Sequence, residues 1–287
     1  MAGRAARIAL AEAIMTTRLD TVYFRTMKPR LFFGFVLACV VSAPAQLAAS
    51  NADGVSMGSL HLIVRDVDAE KDFFKLLGGV PVVSGTLQMM EFPGIFVVLE
   101  KGEPSGGSIG TIVNHFGFQV KDMKEWLPKW QAAGLKIEPM NRPTQLYMRT
   151  PDDVRVEVLE EPSLATPVAG HHIHFFTQDI PAMQAWYVKT FGAVAGKRAQ
   201  FETANLPGGE LTFASSATVP SPTKGRALDK VGFEVKNLKG FVAKLEAAGV
   251  KMDRPYGKIP GTSIAAASFT DPWGTTIELT EGLAPSK

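Results

Sequence analysis

The chain predicts an α+β fold built from four copies of one βαβββ unit, and three observations carry that expectation. An alternating strand opens each unit near residues 57, 112, 169 and 227, an interval of about 55 residues. An Asp or Asn suited to accept from the free N–H groups of a helix start follows each strand, at Asp66, Asp122, Asp179 and Asn237. A glycine then stands where each helix should stop, at Gly78, Gly134, Gly192 and Gly249, because glycine readily takes the left-handed conformation that ends a helix.

The opening strands are Leu60–Val64, His115–Val120, His172–Phe176 and Lys230–Val235. Side chains alternate along a strand, so Phe116, Phe118 and Val120 share one face while His115, Gly117 and Gln119 share the other. The aromatic face suits packing on a helix, and the histidine face suits the lining of a concavity. The helices show apolar residues at helical spacing, as in Met123, Trp126, Leu127 and Trp130, or Leu238, Phe241, Val242 and Leu245. Pro162 to Pro167 has little hydrophobic pattern and reads as a linker, so the expected organisation is a first domain over 57–161, a linker over 162–168 and a second domain over 169–283.

Residues 1–45 read as an N-terminal extension and signal peptide. Lys28 and Arg30 precede the apolar run Leu31 to Val41, and Ala43-Pro44-Ala45 offers a small-x-small cleavage site before Gln46. The run is shorter than the roughly 20 residues that span a bilayer, so stable membrane insertion of the mature chain is not expected. Met27 begins a leader of normal shape. The expectation is a periplasmic or secreted protein, with a lipoprotein anchored through Cys39 as the alternative. Cys39 is the one cysteine, so the mature chain would have no disulfide and no thiolate ligand.

The 287 residues are 46% hydrophobic and 20% charged, with a net charge of +2. The first 45 residues carry six basic residues (Arg4, Arg7, Arg18, Arg25, Lys28, Arg30) against Glu12 and Asp20, which is +4, so the remainder is at −2. No basic stripe with interleaved aromatics follows, and a nucleic-acid partner is not expected.

The repeated βαβββ unit, histidines on its first strand and the hairpin Asp271-Pro272-Trp273-Gly274-Thr275-Thr276-Ile277-Glu278-Leu279, echoed by Thr150-Pro151-Asp152-Asp153-Val154-Arg155-Val156-Glu157-Val158, resemble the vicinal oxygen chelate superfamily. This family is also called the glyoxalase, bleomycin-resistance and extradiol-dioxygenase fold. The resemblance covers about residues 57 to 283. It implies two tandem domains in which pairs of units form two curved, cup-shaped mixed sheets, with metal ligands on the first and last strands of the units.

With consecutive units paired, the resemblance places His61, His115 and Glu157 at three metal positions of the first cup. Two histidines and a carboxylate with open positions suit Fe(II) or Mn(II), with Zn(II) or Ni(II) as further candidates for the single divalent ion. The alternative is a hydrogen-bonded polar cluster without metal. The fourth position falls near Val97 or Val98, which cannot coordinate. Tyr147 resembles a substrate-contacting tyrosine of the dioxygenases, and Arg65, Gln119 and Arg149 are candidate contacts for an anionic substrate. In the second cup His174 and Glu278 would match His61 and Glu157, but Lys230 replaces His115, which implies a degenerate site.

The expected function is an exported metal-dependent enzyme acting on a small oxygen-chelating substrate, by dioxygenase-like or by lyase or isomerase chemistry. Two alternatives stand beside it: a non-catalytic small-molecule binder of the antibiotic-binding type, and a glyoxalase I-like lactoylglutathione lyase. The pairs of units either pack within one chain or exchange across a homodimer, and the sequence leaves that choice open.

Overall fold

The computed structural model describes residues 47–283, so the expected leader and cleavage site and Cys39 lie outside the described residues. Four βαβββ units follow one another. The first comprises β1 (Val55–Val64), α1 (Val67–Leu76), β2 (Val80–Ser84), β3 (Leu87–Phe92) and β4 (Ile95–Lys101). The second comprises β5 (Val113–Val120), α2 (Met123–Ala132), β6 (Lys136–Pro139), β7 (Gln145–Arg149) and β8 (Arg155–Glu160). The third is β9 (Val168–Thr177), α3 (Ile180–Phe191), β10 (Val194–Arg198), β11 (Phe201–Leu206) and β12 (Gly209–Ser215). The fourth is β13 (Leu228–Val235), α4 (Leu238–Ala247), β14 (Met252–Lys258), β15 (Ala265–Thr270) and β16 (Thr276–Glu281).

Local chemistry sets these boundaries where the sequence places them. The Asp66 carboxylate accepts from the N–H groups of Asp68 and Ala69, Asp122 from Lys124, Asp179 from Ala182, and the Asn237 side chain from Gly240. Each cap satisfies donors that a helix start leaves free. Gly78, Gly134, Gly192 and Gly249 all have positive φ just beyond the helices. In the last hairpin the Asp271 carboxylate accepts from the N–H groups of Trp273, Gly274 and Thr275, and Gly274 turns with positive φ. Asp153 takes that left-handed conformation in the matching turn of the second unit.

The units form two eight-stranded mixed sheets, and their partnership differs from the consecutive pairing expected above. One sheet runs β14-β15-β16-β13-β1-β4-β3-β2, joining the first unit to the fourth; the other runs β10-β11-β12-β9-β5-β8-β7-β6, joining the second to the third. A division into 57–161 and 169–283 therefore cuts through both sheets. Antiparallel pairing of β1 with β13, and of β5 with β9, makes the two central seams.

The two long crossovers hold this arrangement. The segment after β4 and the segment after β12 bond to each other: Ser105 N–H donates to Gly225 O, Ala227 N–H to Gly106 O, Ile112 N–H to Ser221 O and Ser221 N–H to Gly110 O. Between the sheets, Phe74 on α1 stacks on Phe116 of β5, Phe92 of β3 meets Phe118, and Phe191 on α3 stacks on Phe233 of β13. Side chains from all four units thus enter one apolar core. The apolar face of each central strand is spent there, which turns its histidine or lysine face outward into a cup.

Candidate metal centre

Four buried side chains meet in the cup of the β5–β9 sheet: His115 from β5, Glu157 from β8, and His172 and His174 from β9. One ligating atom from each lies within 4.8 Å of all the others. His115 Nε2 is 3.0 Å from Glu157 Oε2 and 3.0 Å from His174 Nδ1, and its Nδ1 is 3.0 Å from Asn114 Oδ1. His172 Nε2 is also 3.0 Å from Glu157 Oε2, off the direction of a hydrogen bond. The amide of Gln145 donates to the other carboxylate oxygen of Glu157.

Strand register builds this cluster. Gly117 lies across from His172 and beside Glu157, and His115 lies across from His174. A Cβ at Gly117 would collide with Cε1 and Nδ1 of His172, so the glycine is the cradle of that ring. Register shifts flank the pair, leaving Asn114 on β5 and His171 on β9 as extra residues, and bulges of this kind re-aim neighbouring side chains. His171 Nδ1 is 2.8 Å from His172 Nδ1.

Electrostatics prepare the cluster for a cation. Burial pushes His115 down to about 4, against the pull of Glu157, and pushes His174 down to about 2, with His115 and His172 adding to the effect. Burial alone would raise Glu157, but the imidazoles of His115 and His172 hold its carboxyl well below the usual range. Two imidazoles kept neutral beside an ionised carboxylate are in the protonation states metal ligation requires. The Nε2 atom of His174 is buried without a hydrogen-bond partner, and that of His172 faces only the Glu157 carboxylate. A buried nitrogen without a partner is costly unless something takes up its lone pair or proton, and here it points to a ligand. The donor set, the orphaned nitrogen and the glycine cradle together fit a single divalent ion.

The mouth of the cup is a cavity of about 360 Å³ lined by Gln145, Tyr147, Glu157, His174, Arg198 and Phe201 among others. The Tyr147 ring is 5.2 Å from that of His115, and the Arg155 guanidinium lies 4.6 Å above the tyrosine ring. Burial, helped by Glu157, pushes the phenol up to about 12, so it remains a proton donor at neutral pH. Arg155 Nε is buried without a partner. Thr212, across from His174 on β12, donates to Glu210 and accepts from Arg198.

The structure brings together His115, Glu157 and Tyr147, and it removes His61 from them. His61 lies on β1 in the other sheet, and His174, expected beside Lys230 and Glu278, lies against His115; the two histidines have exchanged places. The reason is the pairing of β1 with β13 and of β5 with β9. Arg65 is engaged outside the cup, with Asp152 at 2.7 Å and Glu103 at 3.0 Å. Arg149 is likewise paired, with Glu138 at 2.7 Å and Asp153 at 3.0 Å. Gln119 shares the inner face at the far end of β5, opposite Ala169. The sequence reading does not place His172 with His115, and it does not single out Gln145, Arg155 or Arg198 as site residues. For His172 a signal existed, since residues two apart on a strand share a face and His172 and His174 are so spaced.

Comparison with known proteins agrees with this architecture. Residues 170–279 match the family described as Glyoxalase/Bleomycin resistance protein/Dioxygenase superfamily. A search of curated proteins returned no match. Among solved structures, the chain is similar to glyoxalase I from Zea mays, with 19% identity, TM-score 0.64, and 79% of this chain and 92% of that one covered. It is also similar to a putative dioxygenase from Bacillus subtilis, with 14% identity, TM-score 0.63, and coverage of 83% and 86%. At such identities these likenesses speak for the fold. The chain thus has the fold that these structures share, repeated over both sheets, and its residues 170–279 match the Glyoxalase/Bleomycin resistance protein/Dioxygenase superfamily.

Proposed function

We propose that the β5–β9 cup is the active site of an exported enzyme in which His115, His172, His174 and Glu157 hold one divalent metal ion. The observation that carries the reading is the buried quartet, in which His174 Nε2 has no hydrogen-bond partner. Such an ion would supply Lewis acidity toward the oxygens of a small substrate. The donor set of imidazoles and one carboxylate suits iron or manganese, and also zinc or nickel.

The protein's own groups have separate tasks. Gln145 and the imidazoles keep the Glu157 charge in place. Tyr147, still protonated at neutral pH, can donate to a substrate oxygen at the cavity mouth, and Phe201 and Tyr147 supply apolar walls that exclude water. Arg198, at the same mouth, is paired with Glu210 at 2.7 Å and also donates to Thr212. Dioxygenase-like chemistry and lyase or isomerase chemistry both fit this arrangement. Thr212 in place of a fourth acidic ligand on β12 weighs against a glyoxalase I-like lactoylglutathione lyase. Export rests on the basic, apolar and small-x-small order of residues 28–45.

The test is elemental analysis of untagged protein expressed with its leader, together with intact mass. The expected result is a chain beginning at Gln46 with about one equivalent of a divalent metal. His115→Ala and His172→Ala should lose the metal, whereas His61→Ala should retain it. No metal in the parent protein after anaerobic reconstitution would overturn the enzyme reading and leave metal-free binding of a small molecule as the better account. An unprocessed mass would overturn export alone.

A further inference from the structure

The cup between β1 and β13 repeats the geometry of the first with different chemistry. Gly232 lies across from Ser59 and beside Glu278, and Lys230 lies across from His61. By this register Ser59, His61, Lys230 and Glu278 stand where His172, His174, His115 and Glu157 stand in the other sheet, and Val98 stands where Thr212 does. Among the described residues no three ligating side chains converge here. The floor holds paired ionic side chains instead. Lys230 Nζ is 2.9 Å from Asp229 and 3.7 Å from Glu100, and Arg254 Nη1 is 3.4 Å from Glu278 Oε1.

Arg254 is poorly neutralised. Its long contact to Glu278 is the one hydrogen bond its side chain makes among the described residues. Burial pushes the Glu278 carboxyl up to about 7, against the pull of Lys230 and Arg254, so the carboxylate is only partly ionised near neutral pH. Burial, with Lys230 and Arg254 adding to it, pushes His61 down to about 3, and the ring contributes no charge. Above this floor Leu87, Val98, Leu99, Ile259 and Leu283 form an apolar wall around a cavity of about 530 Å³. A separate cluster including Leu47, Met89, Phe96 and Ile264 backs that wall.

We propose that this second cup is a metal-free binding site for a small organic carboxylate with a hydrocarbon body. The guanidinium of Arg254, held by a single long contact to Glu278, takes the carboxylate. The hydrocarbon lies along Leu87, Ile259 and Leu283. Both parts of the ligand are required by the site. A bare inorganic anion would leave the apolar wall in water, and a neutral hydrocarbon would cover the guanidinium without pairing it, which is costly for a charge. The volume is in the range of small-ligand pockets.

Isothermal titration of the full processed protein with sodium decanoate, kept below its micelle concentration, tests this against decanol as the neutral partner. Decanoate should bind, and decanol should bind about tenfold more weakly or worse, the loss expected for one charge-assisted contact. Arg254→Met should weaken decanoate to the level of decanol and leave decanol unchanged. Arg254 is 40% exposed on the edge strand β14, so the variant should fold, and the comparison of the two ligands in the parent protein decides the matter if it does not. His115→Ala, which tests the metal centre in the other cup, should leave decanoate binding intact, so the two readings fail independently. Absence of decanoate binding, equal affinity for decanol, parental affinity in Arg254→Met, or loss in His115→Ala would each overturn the proposal.

Discussion

A single methyl group at Gly117 should report on the whole candidate centre. Gly117 has no positive φ and sits within β5, where alanine would ordinarily be favoured over glycine by roughly 0.5–1 kcal/mol. The added Cβ would however collide with the His172 ring, whose side chain is wholly buried. Crowding of a packed interior costs about 1–3 kcal/mol, so Gly117→Ala should be destabilised by up to about 2.5 kcal/mol after the backbone gain is subtracted, and by about 1–3 kcal/mol relative to an uncrowded Gly→Ala change. For a chain of this size that lowers Tm by up to about 10 °C. The ring can escape only by leaving its place beside Glu157, so metal affinity should fall as well. Gly257 is the control: it lies in β14 without positive φ and with nothing within 4 Å of an added Cβ. Gly257→Ala should match or slightly exceed the parent in Tm and bind metal equally. Thermal unfolding with and without chelator, paired with a metal titration, measures both effects. If Gly117→Ala were as stable as Gly257→Ala and bound metal as the parent does, the claim that Gly117 makes room for His172 would be refuted.

Two further perturbations probe the frame around the sites. Glu70 on α1 is fully buried, accepts from the Asp152 N–H at 3.2 Å, and leaves its other oxygen unpartnered. Burial pushes its carboxyl up to about 7, so its contribution to stability is full below the unfolded value near 4.5 and is lost as pH rises through about 7. Glu70→Gln should remove that loss, gaining up to about 3 kcal/mol over the parent at pH 8 and little at pH 4; urea unfolding at the two pH values checks it, and an equal effect at both would refute it. Tyr187 on α3 donates to buried Asp271 Oδ2 at 2.8 Å. Tyr187→Phe removes that donor from the Asp-Pro hairpin and should cost about 1–3 kcal/mol in the same assay, whereas an unchanged midpoint would show that the hairpin holds without the bond.

Local chemistry is legible in the chain wherever one segment decides the outcome. Asp66, Asp122, Asp179 and Asn237 start helices because their side chains reach N–H groups two or three residues away, and Gly78, Gly134, Gly192 and Gly249 end them because their φ is free. The βαβββ repeat and the inward faces of His115 and Glu157 follow from the same short-range rules. Which strand lies beside β5 does not. Pairing β5 with β9 or with β1 satisfies the same ladder groups and the same alternation, and the choice is made by the mutual hydrogen bonds of the crossovers at Ser105–Ile112 and Ser221–Ala227 and by contacts such as Phe74 on Phe116 and Phe191 on Phe233. That choice put His172 and His174, instead of His61, against His115, and left His61 with Lys230 and Glu278. The sequence by itself determined the unit, its caps, its turns and the faces of its strands, because those depend on neighbours a few residues apart; only the tertiary structure decided which faces meet, because that depends on the packing of segments far apart in the chain.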